Sequence, residues 1–186
     1  DRPRIRLTKD VHLLLDDFRM LAKDVASRPT RITELIPARV PAVIGACDAA
    51  ATGMGGVFFV PDAEGTPHPF LWRHPFPTSI EDDVVSFDNP GGSINNSDLE
   101  LCGNIAHHEI IAQCADVRER TIWTGSDNQA NVYWLRKGST TTTGPPAHLL
   151  RLQAHHQRYH RYVPTHDYVP GPSNCMADFC SRAWHL

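Results

Sequence analysis

No run of about eighteen apolar residues occurs in the 186-residue chain, so no membrane span is readable. Its first residues, DRPRIRLTKD, lack the charged-then-apolar pattern of a secretory leader. C-x-x-C pairs are missing as well. The five cysteines, Cys47, Cys102, Cys114, Cys175 and Cys180, are odd in number. Their apolar or helical contexts suit reduced, buried thiols and an intracellular setting, cytoplasmic or nuclear. A basic excess is also lacking. With 18 Lys and Arg against 21 Asp and Glu, the formal charge is -3. That balance counts against a freestanding nucleic-acid binder, which usually neutralises phosphates with cationic side chains. What is present is an ordinary globular composition, 41% apolar and 21% charged, and a length that supports one domain with a real core.

The stretch Val40 to Val57, VPAVIGACDAAATGMGGV, organises the rest. Val43 to Cys47 is an apolar segment of strand length that ends on Asp48. Gly53, Gly55 and Gly56 before Val57-Phe58-Phe59-Val60 read as a hairpin turn into a second strand. Pro69 to Arg73 gives a third strand after the turn Pro61 to Gly65, so three strands follow as a meander. Upstream, residues 8 to 27 place Val11, Leu14, Leu15, Phe18, Leu21, Ala22 and Val25 at helical spacing behind a Thr8 cap. Arg28-Pro29 ends that helix, and an extended tether runs to Pro41. The chain therefore divides into an N-terminal helix and tether, residues 1–40, and a main domain, residues 41–186. The helix stripe is wide enough that packing on the domain in cis, or against another copy, is expected.

Beyond the meander, residues 75 to 96 are acidic and rich in Gly, Pro, Ser and Asn, a long surface loop. Ser97-Asp98-Leu99-Glu100 opens a helix in capping-box form, with Leu99, Cys102, Ile105, Ala106, Ile110 and Ala112 or Gln113 on its inner face. Arg120 to Thr124 is a short strand ending at Gly125-Ser126-Asp127, and a helix follows from Asn128 to about Arg136. A Ser/Thr-rich connector, Lys137 to Pro146, is too polar and proline-bound to pack. Ala147 to His160 is helical, Tyr159 to Val169 extended, and Asn174 caps a last helix holding Cys175, Met176, Ala177, Phe179 and Trp184.

Four acids fall at element junctions: Asp48, Glu100, Asp127 and Asp178. Each has an ordinary explanation. Asp48 can bind turn amides, Glu100 satisfies a capping box, Asp127 can cap the next helix, and Asp178 suits its own helix dipole. Together they suit a hard divalent cation, which needs oxygen ligands from several elements. A two-metal phosphoryl-transfer site further needs one carboxylate between ions roughly 4 Å apart. Histidines such as His107-His108, His155-His156 and His160 are read as no zinc site, because adjacent helical residues point about 100° apart and no Cys or carboxylate set completes a tetrahedron.

The segments CDAAATGMGGVFF, NNSDLELCGNIAHHE, TIWTGSDNQANVYWLRKGS and VPGPSNCMADFCSR resemble, in order and spacing, the four acidic motifs of ribonuclease H domains attached to retroelement reverse transcriptases. The last resembles the closing pattern of such domains in long-terminal-repeat and tyrosine-recombinase retrotransposons. The resemblance covers about residues 41 to 183. It implies an α/β ribonuclease H-like fold, a mixed five-stranded sheet flanked by helices, with an extra N-terminal helix. It also implies cleavage of the RNA strand of an RNA/DNA hybrid with two Mg²⁺ ions, for which Mn²⁺ can substitute. Carried over, Asp48 bridges the ions, Asp178 supports the ion of the attacking water, and Glu100 with Asp127 supports the other. Residues near Gly53, together with Asn128 and Gln129, become candidate contacts to phosphate or the 2'-hydroxyl. Residues 1–40 would be the tail of the connection region, and the partners would be the polymerase and connection domains of the same polyprotein.

Two features depart from the family. The loop Val169 to Asn174 lacks the histidine that some members carry there, and His166 is the nearest, either as its substitute and a candidate substrate contact or as a strand residue. The basic helix that other members use to grip the hybrid gives way to the Ser/Thr-rich connector, which implies weak substrate affinity without the polymerase portion. A catalytically silent module of the same fold usually loses one or more acids, and all four are present. A DNA-joining recombinase of the superfamily would order its acids Asp, Asp, Glu.

Overall fold

The apolar run that ends on Asp48 is the central strand of the sheet. In a computed structural model, which describes residues 5–182, β1 (Val43–Ala50), β2 (Gly53–Pro61) and β3 (Pro67–Pro75) form an antiparallel meander. β4 (Thr121–Ser126) pairs parallel to β1, and β5 (Val163–Tyr168) parallel to β4, giving the order β3-β2-β1-β4-β5. This is the mixed five-stranded sheet expected. Helices α1 (Lys9–Ser27), α2 (Thr78–Glu81), α3 (Asn96–Cys114), α4 (Gln129–Lys137), α5 (Pro145–His160) and α6 (Cys175–Arg182) complete the described elements. Trp184, assigned by pattern to the last helix, lies outside the described residues.

The glycines of the first hairpin are not its turn. Ala50 pairs with Gly53, so Ala51-Thr52 makes a two-residue turn and the glycines lie within β2. Close packing explains them. A Cβ on Gly55 would lie 2.5 Å from the carbonyl carbon of Cys180 in α6, and one on Gly56 would lie 2.7 Å from the Ala46 oxygen and the Trp72 Nε1. Since Gly45 and Gly56 also face His107 of α3, the helices α3 and α6 cover opposite faces of the sheet. β3 is an outer strand and carries Pro67, Pro69 and Pro75.

Helix α3 begins two residues earlier than its sequence pattern suggests. Asn95, rather than Ser97, is the cap: its Oδ1 accepts from Asp98 N at 3.1 Å, and Asp98 Oδ2 accepts from Asn95 N at 2.9 Å. The buried face agrees only in part. Leu99 and Ile105 are buried as expected, but so are Leu101, Asn104, His107, His108 and Ile111, whereas Cys102, Ala106, Ile110 and Ala112 are half-buried. Trp72 Nε1 donates to His107 Nδ1 at 2.9 Å, and His108 stacks on Tyr162 with ring centroids 5.2 Å apart. Burial holds His107 well below the ordinary imidazole range and His108 at about 4, so both are neutral. Around them pack Val43, Cys47, Phe58, Ile111, Val117 and Ile122.

The segment before α3 is more than a surface loop. Phe76 and Val84 are buried against Ala49 and Leu99, a bridge joins Val84 to Ile94, and the Asn89 carboxamide donates to the carbonyls of Asp82 and Val84. The connector is likewise shorter than expected, since Pro145 and Pro146 form the first turn of α5 and Pro146 is fully buried. All five cysteines are free, but only Cys47 and Cys180 are buried, and Cys114 and Cys175 are exposed.

Upstream, the tether is anchored rather than simply extended. A 3-10 turn at Ile32–Glu34 buries Glu34, whose carboxylate meets Arg161 at 2.7 Å while Arg161 also meets Glu119 at 2.6 Å. The hydrogen bond from Arg161 holds the Glu34 carboxyl below its usual range. The expected cis packing of the apolar stripe of α1 is not found. No α1 residue is buried, and Leu14 and Phe18 are 57% and 70% exposed. Instead the polar edge of the helix touches α5, through Asp17 to Arg151 and Asp24 to Arg158, each at 2.5 Å.

Candidate active site

β1 and β4 are parallel neighbours, so both deliver carboxylates at the same end of the sheet: Asp48 within β1 and Asp127 just past β4. The first turns of α3 bring Glu100 to the same place. Oxygens of Asp48, Glu100 and Asp127 all lie within 4.8 Å of one another, with Asp48 and Glu100 buried and Asp127 half-buried. The ordinary explanations of two acids fall away. Asp98 takes the capping-box position expected of Glu100, and Asn128, whose Oδ1 accepts from Asn131 N at 3.1 Å, takes the cap expected of Asp127.

What remains is a buried set of like charges. Burial, then the charges of Asp48 and Asp127, push the Glu100 carboxyl up to about 9, and burial also raises Asp48. Glu100 Oε2 is buried and has no hydrogen-bond partner among the described residues. Carboxylate oxygens converging from three elements, the unpaired Glu100 Oε2 among them, are the donor set a hard divalent cation takes, so the residues fit such an ion. A nearby small residue keeps the approach open. A Cβ on Gly171, in the turn before α6, would lie 3.4 Å from Asp127 Oδ2.

Asp178 stands beside this group rather than in it. It lies in the first turn of α6, near enough that its charge raises Asp48, but its Oδ1 accepts from Arg182 Nε at 2.6 Å. Two residues of the site escape a reading limited to acids. Ser181 is buried and its Oγ donates to Asp48 Oδ2 at 2.5 Å, and Arg182 neutralises Asp178. Their positions at i+3 and i+4 from Asp178 put them on its helix face, and that spacing was the available signal. Asn174 does not cap α6 with its side chain. Its Nδ2 donates instead to the Cys47 carbonyl at 3.3 Å, fastening the start of the helix to β1 beside Asp48.

The proposed substrate contacts divide. Gln129 is exposed at the first position of α4, next to Asp127. Asn128 is committed at both ends of its carboxamide, since its Nδ2 also donates to Ser97 Oγ at 3.2 Å. Gly53 is buried at the start of β2, beyond Asp48 along the hairpin. His166 is not in the site. It lies in β5 opposite Thr124, buried on the α3 face with its ring 5.5 Å from His108, and burial holds it well below the usual imidazole range. As a strand residue whose side chain points under the sheet, it cannot replace a loop histidine.

No protein-family model matches the chain, and no curated protein is similar to it. Solved structures are. The chain is similar to the ribonuclease H1 of the halophilic archaeon Halobacterium salinarum NRC-1, at 17% identity over 74% of this chain and 92% of that one, with a TM-score of 0.50. It is similar also to a ribonuclease H1 isolated from compost by a metagenomic approach, at 14% identity over 75% and 91% of the two chains, again with a TM-score of 0.50. The fold is that of ribonuclease H.

Proposed function

We propose that this domain is an endoribonuclease that cuts the RNA strand of RNA/DNA hybrids by two-metal-ion hydrolysis, as part of a retroelement reverse transcriptase. The observation that carries this reading is the buried convergence of Asp48, Glu100 and Asp127, with two of the three released from helix capping. Residues 1–40 fit the tail of a connection region, because α1 keeps its apolar stripe exposed as a segment does when its partner lies in another domain.

Asp48 is central. The Ser181 hydroxyl fixes Asp48 Oδ2, and the Asp48 carboxylate lies beside both Glu100 and Asp127, which supports reading it as the one shared between two ions. Glu100 and Asp127 would hold one ion, and Asp178 with Asp48 the other, the Arg182 contact orienting Asp178 until then. When bound, Mg²⁺ or Mn²⁺ would supply the Lewis acidity that activates water and neutralises the developing phosphorane charge. Gln129, exposed beside Asp127, is the side chain best placed to meet the RNA backbone or a 2'-hydroxyl.

A labelled RNA/DNA hybrid incubated with Mg²⁺ or Mn²⁺, alongside single-stranded and double-stranded RNA, tests the proposal. Cleavage confined to the RNA strand of the hybrid, and lost in Asp48→Asn, is expected. Binding of the hybrid without cleavage by the unmutated chain would instead identify a silent module.

A further inference from the structure

Helix α5 places His156 and His160 one turn apart on one face, and α3 presents Glu109 to both. We infer that Glu109, His156 and His160 form a second metal site, for a borderline transition metal of the zinc type, which joins α3 to α5 apart from the acid cluster. Sequence alone lacked the completing carboxylate because it comes from another helix, 47 residues before His156. One ligand atom from each residue lies within 4.8 Å of the other two. Glu109 Oε2 is 2.7 Å from His156 Nε2 and 3.5 Å from His160 Nε2.

These separations straddle the roughly 3.3 Å between two ligands that sit 2.0–2.1 Å from one tetrahedral zinc. A small shift of the Glu109 carboxylate, which is 43% exposed, would make them equal. Two imidazoles with one carboxylate select zinc, cobalt or nickel over magnesium, which prefers oxygen alone. Water would complete the set, since the Glu109 side chain is 43% exposed.

Outer contacts orient the ligands as they do in built metal sites. Gln113 Nε2 donates to Glu109 Oε1 at 2.6 Å and so turns Oε2 toward the histidines. The Tyr162 hydroxyl, fully buried, lies 2.8 Å from His156 Nδ1 and thereby aims Nε2 at the carboxylate. Behind it, the buried carboxamide of Gln153 contacts Tyr162 at 2.9 Å through Nε2, while its Oε1 has no partner among the described residues. Reversed, that carboxamide accepts the tyrosine O–H, and Tyr162 then accepts from His156 Nδ1–H. This tautomer leaves the Nε2 lone pair for a cation. Along α3, Glu109 is nine residues from Glu100, or about 13 Å, so an ion here does not meet the acid cluster.

Cobalt titration followed by visible absorption, with zinc competition and millimolar Mg²⁺ present, tests the site. The wild-type chain and Asp48→Asn are expected to bind one equivalent with tetrahedral cobalt bands that zinc displaces. Glu109→Gln and His160→Ala should lose affinity by at least the roughly 10–100-fold that removal of an outer partner alone produces. Zinc should raise the melting temperature of the wild-type chain and of neither variant. Should His160→Ala fail to fold, Glu109→Gln, which keeps the size of the side chain, decides. Unchanged affinity in these variants, or no zinc-displaceable cobalt bound by the wild-type chain, would overturn the assignment.

Discussion

Replacing Glu100 with Gln should make the metal-free domain more stable, and by an amount that depends on pH. In the native state this carboxyl is pushed up to about 9 from an ordinary 4.5 by burial and by Asp48 and Asp127. A raised folded pKa contributes stability that is fully present below 4.5 and is lost as pH rises toward 9, because the unfolded chain releases a proton that the native state retains. Near neutrality the loss is about 3 kcal/mol, from about 1.4 kcal/mol per unit. Glutamine has nothing to titrate and keeps the shape. The variant should therefore gain about 3 kcal/mol near neutrality, roughly 6–12 °C in melting temperature for a chain of this length, and nothing below about pH 4.5. Urea denaturation of both proteins in chelator across that range measures it. A variant no more stable than wild type, or a gain that does not change with pH, would refute the picture of Glu100 as an acid buried among like charges. Saturating Mg²⁺ or Mn²⁺ should shrink the difference, since ions that bind the native carboxylates stabilise only the wild type fully.

Further outcomes follow from other parts of the molecule. Asp48→Asn should abolish hybrid cleavage in Mg²⁺ while leaving the circular dichroism spectrum unchanged, because an amide keeps the side-chain shape but not the charge; wild-type cleavage rates would remove Asp48 from the site. Below about pH 6.5 the metal-free domain should lose stability steeply, by up to about 3 kcal/mol per unit, because His107, His108 and His166 stay neutral when folded and take up protons when unfolded, against the smaller opposing gain from Glu100; a flat acid limb in a denaturation series would contradict their burial. Glu34→Ala should cost about 1.5–3 kcal/mol at neutral pH by stripping Arg161 of a charged hydrogen bond, an effect that fades as acid protonates Glu34 in the wild type; equal urea midpoints would show that the tether is not anchored there. Deleting residues 1–27 should change stability by no more than about 1–2 kcal/mol, since no α1 residue is buried and the helix meets α5 through two ion pairs at its polar edge. A large fall in melting temperature would revive packing of its apolar stripe.

The order of elements was legible because strands and helices here carry the expected spacing, and the acids stood out because strand ends and helix starts are marked by Gly, Ser and Asn. The errors share a physical origin. Gly55 and Gly56 look like a turn in one dimension, and only the approach of Cys180 and Trp72 shows that they are strand residues chosen for lack of a side chain. The polar members of the inner face of α3 were missed because hydropathy counts His107, His108 and Asn104 as polar, whereas in place they hydrogen-bond or stack within the core. Glu100 was credited to a cap because two overlapping boxes are possible and local sequence does not choose between Asn95 and Ser97. His166 drew interest from its nearness to a loop, and strand parity decided its face. Long-range contacts such as Ser181 with Asp48 have no signature in a single sequence.

The outer edge of the sheet bears on how this domain behaves at high concentration. Pro67, Pro69 and Pro75 share one parity on β3, and because β2 pairs along its full length, their missing N–H groups face away from the sheet. An incoming strand would find gaps where donors should be, so this edge is a poor template for fibrils or strand exchange. Self-association of the purified chain should then not run through the β3 edge.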